Sequence, residues 1–292
     1  MDIIAKRIEE LGAAKLIGSH PSGSANWLAQ RAESIGGSDI APILNLSPFK
    51  SCLTLWYEKA GAIDQPEPTM RMRLGNYLEE GIIHAFADDN PNLTVYYADW
   101  TFASTENERF HANPDAVIED KLGNLSILEI KHTGRYWTEL PEYYRYQVLW
   151  YMYVTGLKNP AMVVAVTGGD LKQFIVEWDE TLMEYVKGAV NAFLALLSVG
   201  EPPDHDGSDS TYQTIRDLSP DVEDVAYELE CATELMAAKQ IYDAAEENLQ
   251  KYKAKALDEL QGAKIGTFQG VPIVQLQQRG EGKPYLTFTR GN

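Results

Sequence analysis

Residues 113–132 read NPDAVIEDKLGNLSILEIKH, in which two short apolar runs flank a Gly-Asn pair. β-branched and other apolar residues on both sides of such a pair are typical of two strands joined by a tight turn, so the segment predicts a β-hairpin. Asp115 stands at the start of the first strand, and Glu129 and Lys131 alternate along the second. Because side chains two positions apart in a strand share a face, the hairpin predicts two carboxylates and an amine close together.

This combination of charges suits a divalent metal ion. A hard cation such as Mg²⁺ binds carboxylate oxygens and keeps water and substrate phosphate oxygens as its other ligands. Lys131 could then orient or deprotonate a water and offset charge on an attacked phosphate. A lone Glu-x-Lys pair on a strand is more often a pair of surface charges, so the prediction also depends on Pro114–Asp115 and on Glu79 in an upstream helix.

The sequence around the hairpin alternates between helical and strand patterns. Helices are predicted within 25–62 and at about 70–87, 141–156 and 179–199. Strands are predicted at 93–104, 110–119 and 125–132, and in two runs that meet at Gly168–Gly169. Strands and helices in this order predict an α/β fold with a mixed central sheet flanked by helices.

The chain is predicted to have four parts. Residues 1–24 read as an N-terminal helix over 3–16 and a linker, and 25–200 as the main domain. Residues 201–218 are rich in Pro, Gly, Asp and Ser and predict a second linker. Residues 219–292 predict a long helix with a coiled-coil-like seam, about 219–263, and a β-hairpin closed at Gly280–Gly282.

Composition excludes several classes of protein. The 292 residues are 45% hydrophobic and 23% charged, which is ordinary for a globular chain. Two cysteines cannot form a disulfide scaffold or a four-cysteine zinc or iron–sulfur site, and they favour a reducing cytoplasm. No apolar run approaches a membrane span. The net charge of −18 opposes bulk attraction to nucleic acid or to anionic membrane, so a polyanion would have to be bound locally.

Five motifs, in order, resemble those of a known family. They are IGGSDIAPILNLSPFKSCLTLWYEKAG at 35–61, LGNYLEEGI at 74–82, Pro114–Asp115, Glu129–Ile130–Lys131 and YYRYQVLWYMYVTG at 143–156. Together they resemble the PD-(D/E)XK nucleases, and within them the YqaJ-like viral recombinases related to phage lambda exonuclease. The resemblance covers about residues 25–200 and implies a restriction-endonuclease-like core.

The resemblance also implies roles for particular residues. The implied metal ligands are Glu79, Asp115, Glu129 and the carbonyl of Ile130, holding one or two Mg²⁺ ions with Mn²⁺ as an alternative. The implied catalytic set is Glu79, Asp115, Glu129, Lys131 and Gln147. Tyr144 and Gln147 resemble the family's Tyr/Gln pair beside the metal site, and three-residue spacing puts them on one helix face. The alternative for both is the polar edge of an amphipathic core helix.

A second group of residues resembles an anion pocket. Arg31 and Ser38 resemble the pair that binds the terminal 5′-phosphate in lambda-type exonucleases, and a helix-start Ser with an Arg is physically suited to a phosphate. The alternative is a plain helix cap and a surface arginine, with neighbouring Asp39 as the cap. Further candidates for the DNA backbone are Arg71, Arg73 and Arg135. His111 and His132 flank the carboxylates, but the family pattern requires neither.

The implied function is that of a Mg²⁺-dependent exodeoxyribonuclease that degrades one strand of double-stranded DNA from its end, 5′ to 3′, in phage-type homologous recombination. Implied partners are DNA ends, further copies of the chain in a ring-shaped trimer, and a single-strand annealing protein, all in the bacterial cytoplasm. The alternatives are a RecB-type or restriction-like nuclease of other polarity and a non-catalytic recombination scaffold. The 219–292 seam could pack within the chain, join subunits, or dock the annealing partner.

Overall fold

The computed structural model describes residues 3–21, 23–64 and 69–289, and the chain divides into two units, Met1–Pro220 and Asp221–Asn292. The helices of the first unit are α1 (Ile3–Glu10), α2 (Ala25–Glu33), α3 (Gly37–Ile43), α4 (Cys52–Lys59), α5 (Met70–Asp89), α6 (Glu142–Thr155), α7 (Glu180–Val199) and α8 (Asp209–Leu218). Its strands are β1 (Ala14–Ser19), β2 (Thr94–Tyr96), β3 (Trp100–Ser104), β4 (His111–Ala112), β5 (Ala116–Glu119), β6 (Leu125–Thr133), β7 (Ala161–Thr167) and β8 (Asp170–Val176).

The central sheet has five strands in the order β2-β5-β6-β7-β8. The predicted hairpin is β5–β6, whose antiparallel register sets Ala116 opposite Leu128. β6 then pairs in parallel with β7, so the connection between them must cross the sheet, and α6 lies in that connection. The prediction of a mixed α/β sheet flanked by helices is confirmed.

Alternate residues of β6 serve two cores on opposite sides of the sheet. Ile127 belongs to the larger core, which includes residues of α6 and α7. Leu128 and Ile130 belong to a smaller core with Ile83 of α5. Glu129 lies two residues after Ile127 on the same face of the strand and therefore projects toward the α6 side.

The N-terminal segment differs from the prediction of one helix over 3–16 followed by a linker. Helix α1 ends at Glu10, where Gly12 takes a left-handed backbone conformation with φ of 81°. Residues 14–19 then form β1, which pairs with β3 in a second sheet of order β1-β3-β4. The predicted 93–104 strand is likewise two strands, because β2 joins the central sheet while β3 joins the second sheet.

The predicted linker at 201–218 is wrong over its second half, which is helix α8. Ser208 caps this helix by accepting a hydrogen bond from the N–H of Thr211 at 3.2 Å. Thr211 and Thr214 are buried, and the Thr214 hydroxyl lies 2.8 Å from that of Thr54 on α4. The Ser and Thr residues that resemble a linker composition therefore attach α8 to α4.

One helix among the described residues, α7, is long and apolar enough by length and composition to cross a membrane. Its buried residues include Val186, Val190 and Phe193, which belong to the large core of the first unit. Core helices pass the same composition test, so this helix is weak evidence for a membrane span.

The second unit contains α9 (Ala232–Leu260) and the strands β9 (Ile265–Phe268), β10 (Val271–Gln277) and β11 (Tyr285–Phe288). The helix begins later than the predicted residue 219. The strands form an antiparallel sheet of order β11-β10-β9, so the predicted hairpin gains a third strand. Gln269 and Gly270, both with positive φ, make the additional turn.

Candidate active site

Asp115 and Glu129 come together where the β5–β6 hairpin meets helix α6. Asp115 precedes β5, and its Oδ2 accepts a hydrogen bond from the main-chain N–H of Ile130 at 2.7 Å. This bond ties the carboxylate across the hairpin to β6, directly beside Glu129. The side chain of Glu129 is almost fully buried, with 1% of its surface exposed. A buried carboxylate requires partners, since burial strongly disfavours its charge.

The two oxygens of Glu129 have very different surroundings. Oε1 accepts hydrogen bonds from Lys131 Nζ at 2.5 Å and from Gln147 Nε2 at 2.7 Å. Oε2 is buried and has no hydrogen-bond partner within the described part of the chain. Buried polar atoms are nearly always satisfied in folded proteins, so this oxygen has capacity for a water, an ion or another ligand.

Electrostatics link Glu79 of α5 to this pair. Burial and the nearby charge of Asp115 raise the pKa of Glu79 to about 8, although Lys131 opposes the change. Burial and the charge of Asp115 likewise raise the pKa of Glu129 to about 8. The pKa of Asp115 itself is raised by burial, with Lys131 acting in the opposite direction. The three acids predicted from the sequence thus share one electrostatic environment.

Lys131 is the cation of this cluster. Burial alone would lower its pKa, but the carboxylates of Glu129 and Asp115 outweigh burial and raise the pKa above its ordinary value. The amine therefore stays protonated at neutral pH. Of the two roles considered from the sequence, an orienting and charge-stabilising role fits this protonation state, and deprotonation of a water does not.

The cluster fits a divalent cation in charge and donor type. Three carboxylates and one ammonium leave an excess of two negative charges if all are ionised. The donors are hard oxygens, and the unpartnered Oε2 of Glu129 is one of them. Within the described ranges, however, no three His, Cys, Asp or Glu side chains form a group able to hold a metal ion as they stand. A cation here would therefore also need main-chain, water or substrate oxygens.

Helix α6 forms one wall of the cluster. Gln147 donates from Nε2 both to Glu129 and to the hydroxyl of Tyr151, the latter at 2.9 Å. The Lys131 ammonium lies 4.9 Å from the ring centroid of Tyr144. Both α6 residues predicted from the sequence thus contact the charged cluster. Tyr151 was not predicted, although its position four residues after Gln147 places it on the same helix face.

The predicted anion pair forms a second cluster. Arg31 on α2 donates from one terminal nitrogen to Ser38 Oγ at 2.7 Å. The same nitrogen lies 3.6 Å from Asp39 Oδ1, and the other oxygen of Asp39, in the first turn of α3, accepts the N–H of the N-cap residue Gly36 at 3.0 Å. The N-cap residue of α3 is Gly36, so neither Ser38 nor Asp39 is the cap considered from the sequence, and Ser38 stays in contact with Arg31.

Lys59 completes this second cluster, and the sequence analysis missed it. Its Nζ lies 2.8 Å from Asp39 Oδ2, and both side chains are 2% exposed. In the sequence it follows Glu58 near the end of α4, where a lysine usually faces solvent and favours the helix dipole. Only the packing of α4 on α2 and α3 shows that it is buried.

Gly37 allows α3 and α6 to pack closely, which brings the cluster around Arg31 near the cluster around Glu129. A Cβ atom built at this position would lie 2.5 Å from the Tyr151 ring and 3.0 Å from the main-chain oxygen of Gln147. Only glycine therefore allows α3, which carries Ser38 and Asp39, to lie directly on α6.

The three further arginines lie at the surface. The Thr133 hydroxyl oxygen accepts hydrogen bonds from both Arg71 on α5 and Arg135 after β6. The donor in Arg71 is a guanidinium nitrogen at 3.5 Å, and the donor in Arg135 is the main-chain N–H at 3.1 Å. Arg73 is exposed on α5. His111 is buried and contacts the carbonyl of Glu108 at 3.0 Å.

Comparison with known proteins tests the family resemblance given by the motifs. A family model for the YqaJ-like viral recombinase domain matches residues 26–158. That range contains every candidate residue of both clusters. Residues 26–158 are therefore similar to a YqaJ-like viral recombinase domain. The motif-based resemblance is thereby confirmed.

Two further comparisons concern one curated protein and one solved structure. The uncharacterized protein YqaJ of Bacillus subtilis (strain 168) is 27% identical over 199 residues, which cover 65% of this chain and 61% of that protein. The chain thus spans about three fifths of that relative's length. The crystal structure of an alkaline exonuclease, LHK-Exo, from Laribacter hongkongensis matches with a TM-score of 0.50 at 18% identity, covering 66% of this chain and 97% of that one. This second likeness concerns the fold.

Proposed function

We propose that this chain is a metal-dependent deoxyribonuclease that degrades one strand of double-stranded DNA from its end. The observation that carries the proposal is the environment of Glu129. Two donors hold one of its oxygens, the other is buried without a hydrogen-bond partner among the described residues, and Asp115 lies beside it. The YqaJ-like match and the exonuclease-like fold support the same reading.

Asp115 and Glu129 would hold the metal, Mg²⁺ or in its place Mn²⁺, with Glu79 and the Ile130 carbonyl as further ligands. When bound, the ion supplies Lewis-acid stabilisation of the attacked phosphate and of the departing 3′-oxygen. The protein supplies the geometry, because the Ile130 N–H fixes Asp115 and two donors fix Glu129.

Lys131 and Gln147 have supporting roles in phosphodiester hydrolysis. The protonated Lys131 offsets the negative charge that develops on the phosphate and orients the attacking water. Gln147 keeps Glu129 in position and is itself held by Tyr151. The Tyr144 ring lies beside the Lys131 ammonium and would contact the DNA strand by stacking on a base.

Arg31 and Ser38 would bind the terminal 5′-phosphate and give the enzyme 5′-to-3′ polarity. An arginine can bind a phosphate with two parallel hydrogen bonds, and the Ser38 hydroxyl adds a third contact. Binding of the terminus at a fixed distance from the metal site would restrict cleavage to DNA ends. Arg71, Arg73 and Arg135 would contact the DNA backbone farther out.

The net charge of −18 bears on how DNA is retained, because basic contacts dominate nonspecific DNA affinity. An acidic chain that stays on DNA requires a topological device, so we include a homo-oligomer, such as a ring-shaped trimer around the duplex, in the proposal. The remaining parts are a role in phage-type homologous recombination, a single-strand annealing protein as partner, and the bacterial cytoplasm as the location.

A nuclease assay with a matched pair of variants tests the proposal. Linear duplex DNA should be degraded with Mg²⁺ or Mn²⁺ and not with EDTA, and Glu129→Gln should abolish degradation. Glu58→Gln is the control, because Glu58 is also a buried glutamate paired with a lysine, Lys50, but lies outside the cluster. Light scattering should show one oligomeric state for all three proteins. Degradation by Glu129→Gln at the wild-type rate would refute the proposal.

Polarity requires a separate measurement. Duplexes labelled at either end, each with a 5′-phosphate or a 5′-hydroxyl, should lose nucleotides first from the 5′-phosphorylated strand. Loss from the 3′ end instead would preserve the nuclease and remove the assignment of Arg31 and Ser38.

A further inference from the structure

Lys59 is buried and fully engaged. Its side chain is 2% exposed, and Nζ donates to the main-chain carbonyls of Arg31 and Ser34 at 2.6 Å each and lies 2.8 Å from Asp39. These three contacts use all three N–H donors of an ammonium group. Lys59 therefore cannot bind a ligand itself, and its effect must pass through the residues that it holds.

Asp39 lies between two cations at unequal distances. Lys59 Nζ is 2.8 Å from one carboxylate oxygen, and the nearest nitrogen of Arg31 is 3.6 Å from the other. Burial acts to raise the pKa of Asp39, but Lys59 and then Arg31 outweigh burial and keep the pKa below its ordinary value. The carboxylate is thus ionised at neutral pH, and Lys59 is its closer partner.

Arg31 is left as the accessible cation of the group. Two cations and one carboxylate leave one positive charge in excess, and of the two cations only Arg31 reaches the surface, with 25% of its side chain exposed. The bond to Ser38 uses one of five N–H donors of the guanidinium. The Trp27 ring, 5.0 Å from the guanidinium carbon, supports the group from the side.

We propose that Lys59 is a positioning residue that neutralises Asp39, so that the Arg31 guanidinium is available to a terminal 5′-phosphate. Without Lys59, Arg31 would be the cation left beside the Asp39 carboxylate in the described part of the chain, and the carboxylate would compete with the phosphate for it. This proposal rests on the proposed function, since it concerns the residues assigned there to the DNA end.

Four full-length proteins test it: wild type, Lys59→Met, Asp39→Asn and the double variant. The measured quantity is the ratio of kcat/KM for duplexes with a 5′-phosphate to that for duplexes with a 5′-hydroxyl, taken within each protein. We expect Lys59→Met to lower this ratio by roughly tenfold or more through KM, as loss of one charged contact would. The double variant should regain the wild-type ratio, because the competing carboxylate is gone.

Asp39→Asn alone should keep or increase the ratio, and it tests the proposal even where Lys59→Met fails to fold. A lowered ratio for Asp39→Asn would mean that Asp39 orients Arg31 and does not compete for it, which overturns the proposal. So would a folded Lys59→Met protein with the wild-type ratio, or a folded double variant that does not recover. Thermal unfolding of each protein establishes which are folded.

The same experiment separates this proposal from the proposed function. A wild-type enzyme that degrades both kinds of end equally overturns the role of Lys59 and leaves the metal-dependent nuclease intact. A wild-type protein without metal-dependent degradation overturns the nuclease. In that case, fluorescence anisotropy with 5′-phosphorylated and 5′-hydroxyl duplexes in EDTA gives the phosphate preference directly, and equal affinity would overturn the role of Lys59.

Discussion

The acidic cluster should destabilise the metal-free protein, and Glu129→Gln should relieve that effect. Glutamine cannot ionise, so it removes the repulsion between Glu129 and its acidic neighbours while keeping the size of the side chain. We expect the variant to be more stable than the wild type in EDTA at pH 8 and equally stable near pH 5, where Glu129 is protonated in the folded state.

The magnitude follows from the pKa of Glu129, which rises from 4.5 to about 8 on folding. A raised folded-state pKa gives stability that is complete below pH 4.5 and lost as the pH rises through 8. Each pKa unit is worth about 1.4 kcal/mol, so an isolated group would lose on the order of 5 kcal/mol. Because the titrations of Glu79, Asp115 and Lys131 are linked to that of Glu129, we expect Glu129→Gln to gain only about 2 kcal/mol in the free energy of unfolding at pH 8. This gain corresponds to roughly 4–8 °C in the midpoint of thermal unfolding.

Thermal unfolding in EDTA between pH 5 and pH 9 measures this effect, with Glu58→Gln as the control for loss of a buried glutamate. Mg²⁺ should then raise the midpoint of the wild type and leave Glu129→Gln unchanged, because only the wild type keeps the metal-binding carboxylate. Parallel pH profiles for the wild type and Glu129→Gln in EDTA would refute the reasoning, since the cluster would then carry no excess charge.

Three further predictions concern other parts of the molecule. Gln147→Leu removes a donor to Glu129 and should lower kcat by about 10²-fold with little change in oligomeric state, as measured by nuclease assay and light scattering. Trp150→Ala empties the centre of the large core and should cost about 3–5 kcal/mol in the free energy of unfolding, measured by urea denaturation. The pKa of Asp39 is lowered in the folded state, so its carboxylate stabilises the fold above the unfolded pKa of 3.8, and this stability is lost as the pH falls through the folded pKa. When each protein is compared with its own stability at pH 7, acid unfolding should therefore begin at a higher pH in the wild type than in Asp39→Asn.

The local pattern predicted the parts of the fold that are formed by neighbouring residues. The alternation of Glu129 and Lys131 on β6 and the β5–β6 turn are examples, and the order of strand and helix patterns predicted a mixed sheet flanked by helices. Residues far apart in the chain were harder to relate. The Ser and Thr residues of α8 resembled a linker because their partner, Thr54, is 160 residues away.

The same distinction holds for the candidate site. The carboxylates and Gln147 were predicted because their types and order match a family pattern. Lys59 was not, because it resembled a surface lysine at a helix end, and only packing showed it enclosed. The unpartnered Oε2 of Glu129 is a property of three-dimensional contacts, so no sequence pattern could have predicted it.

Gly37 sets the spacing between the cluster around Glu129 and the cluster around Arg31. Because α3 rests on α6 without an intervening side chain, a direct backbone contact separates the residues proposed to bind the DNA end from those proposed to cut the strand. The number of nucleotides between the gripped terminus and the severed bond is then set by a backbone contact. A methyl group at residue 37 would increase the spacing between the two clusters, and it would change where the strand is cut as well as the affinity for its end.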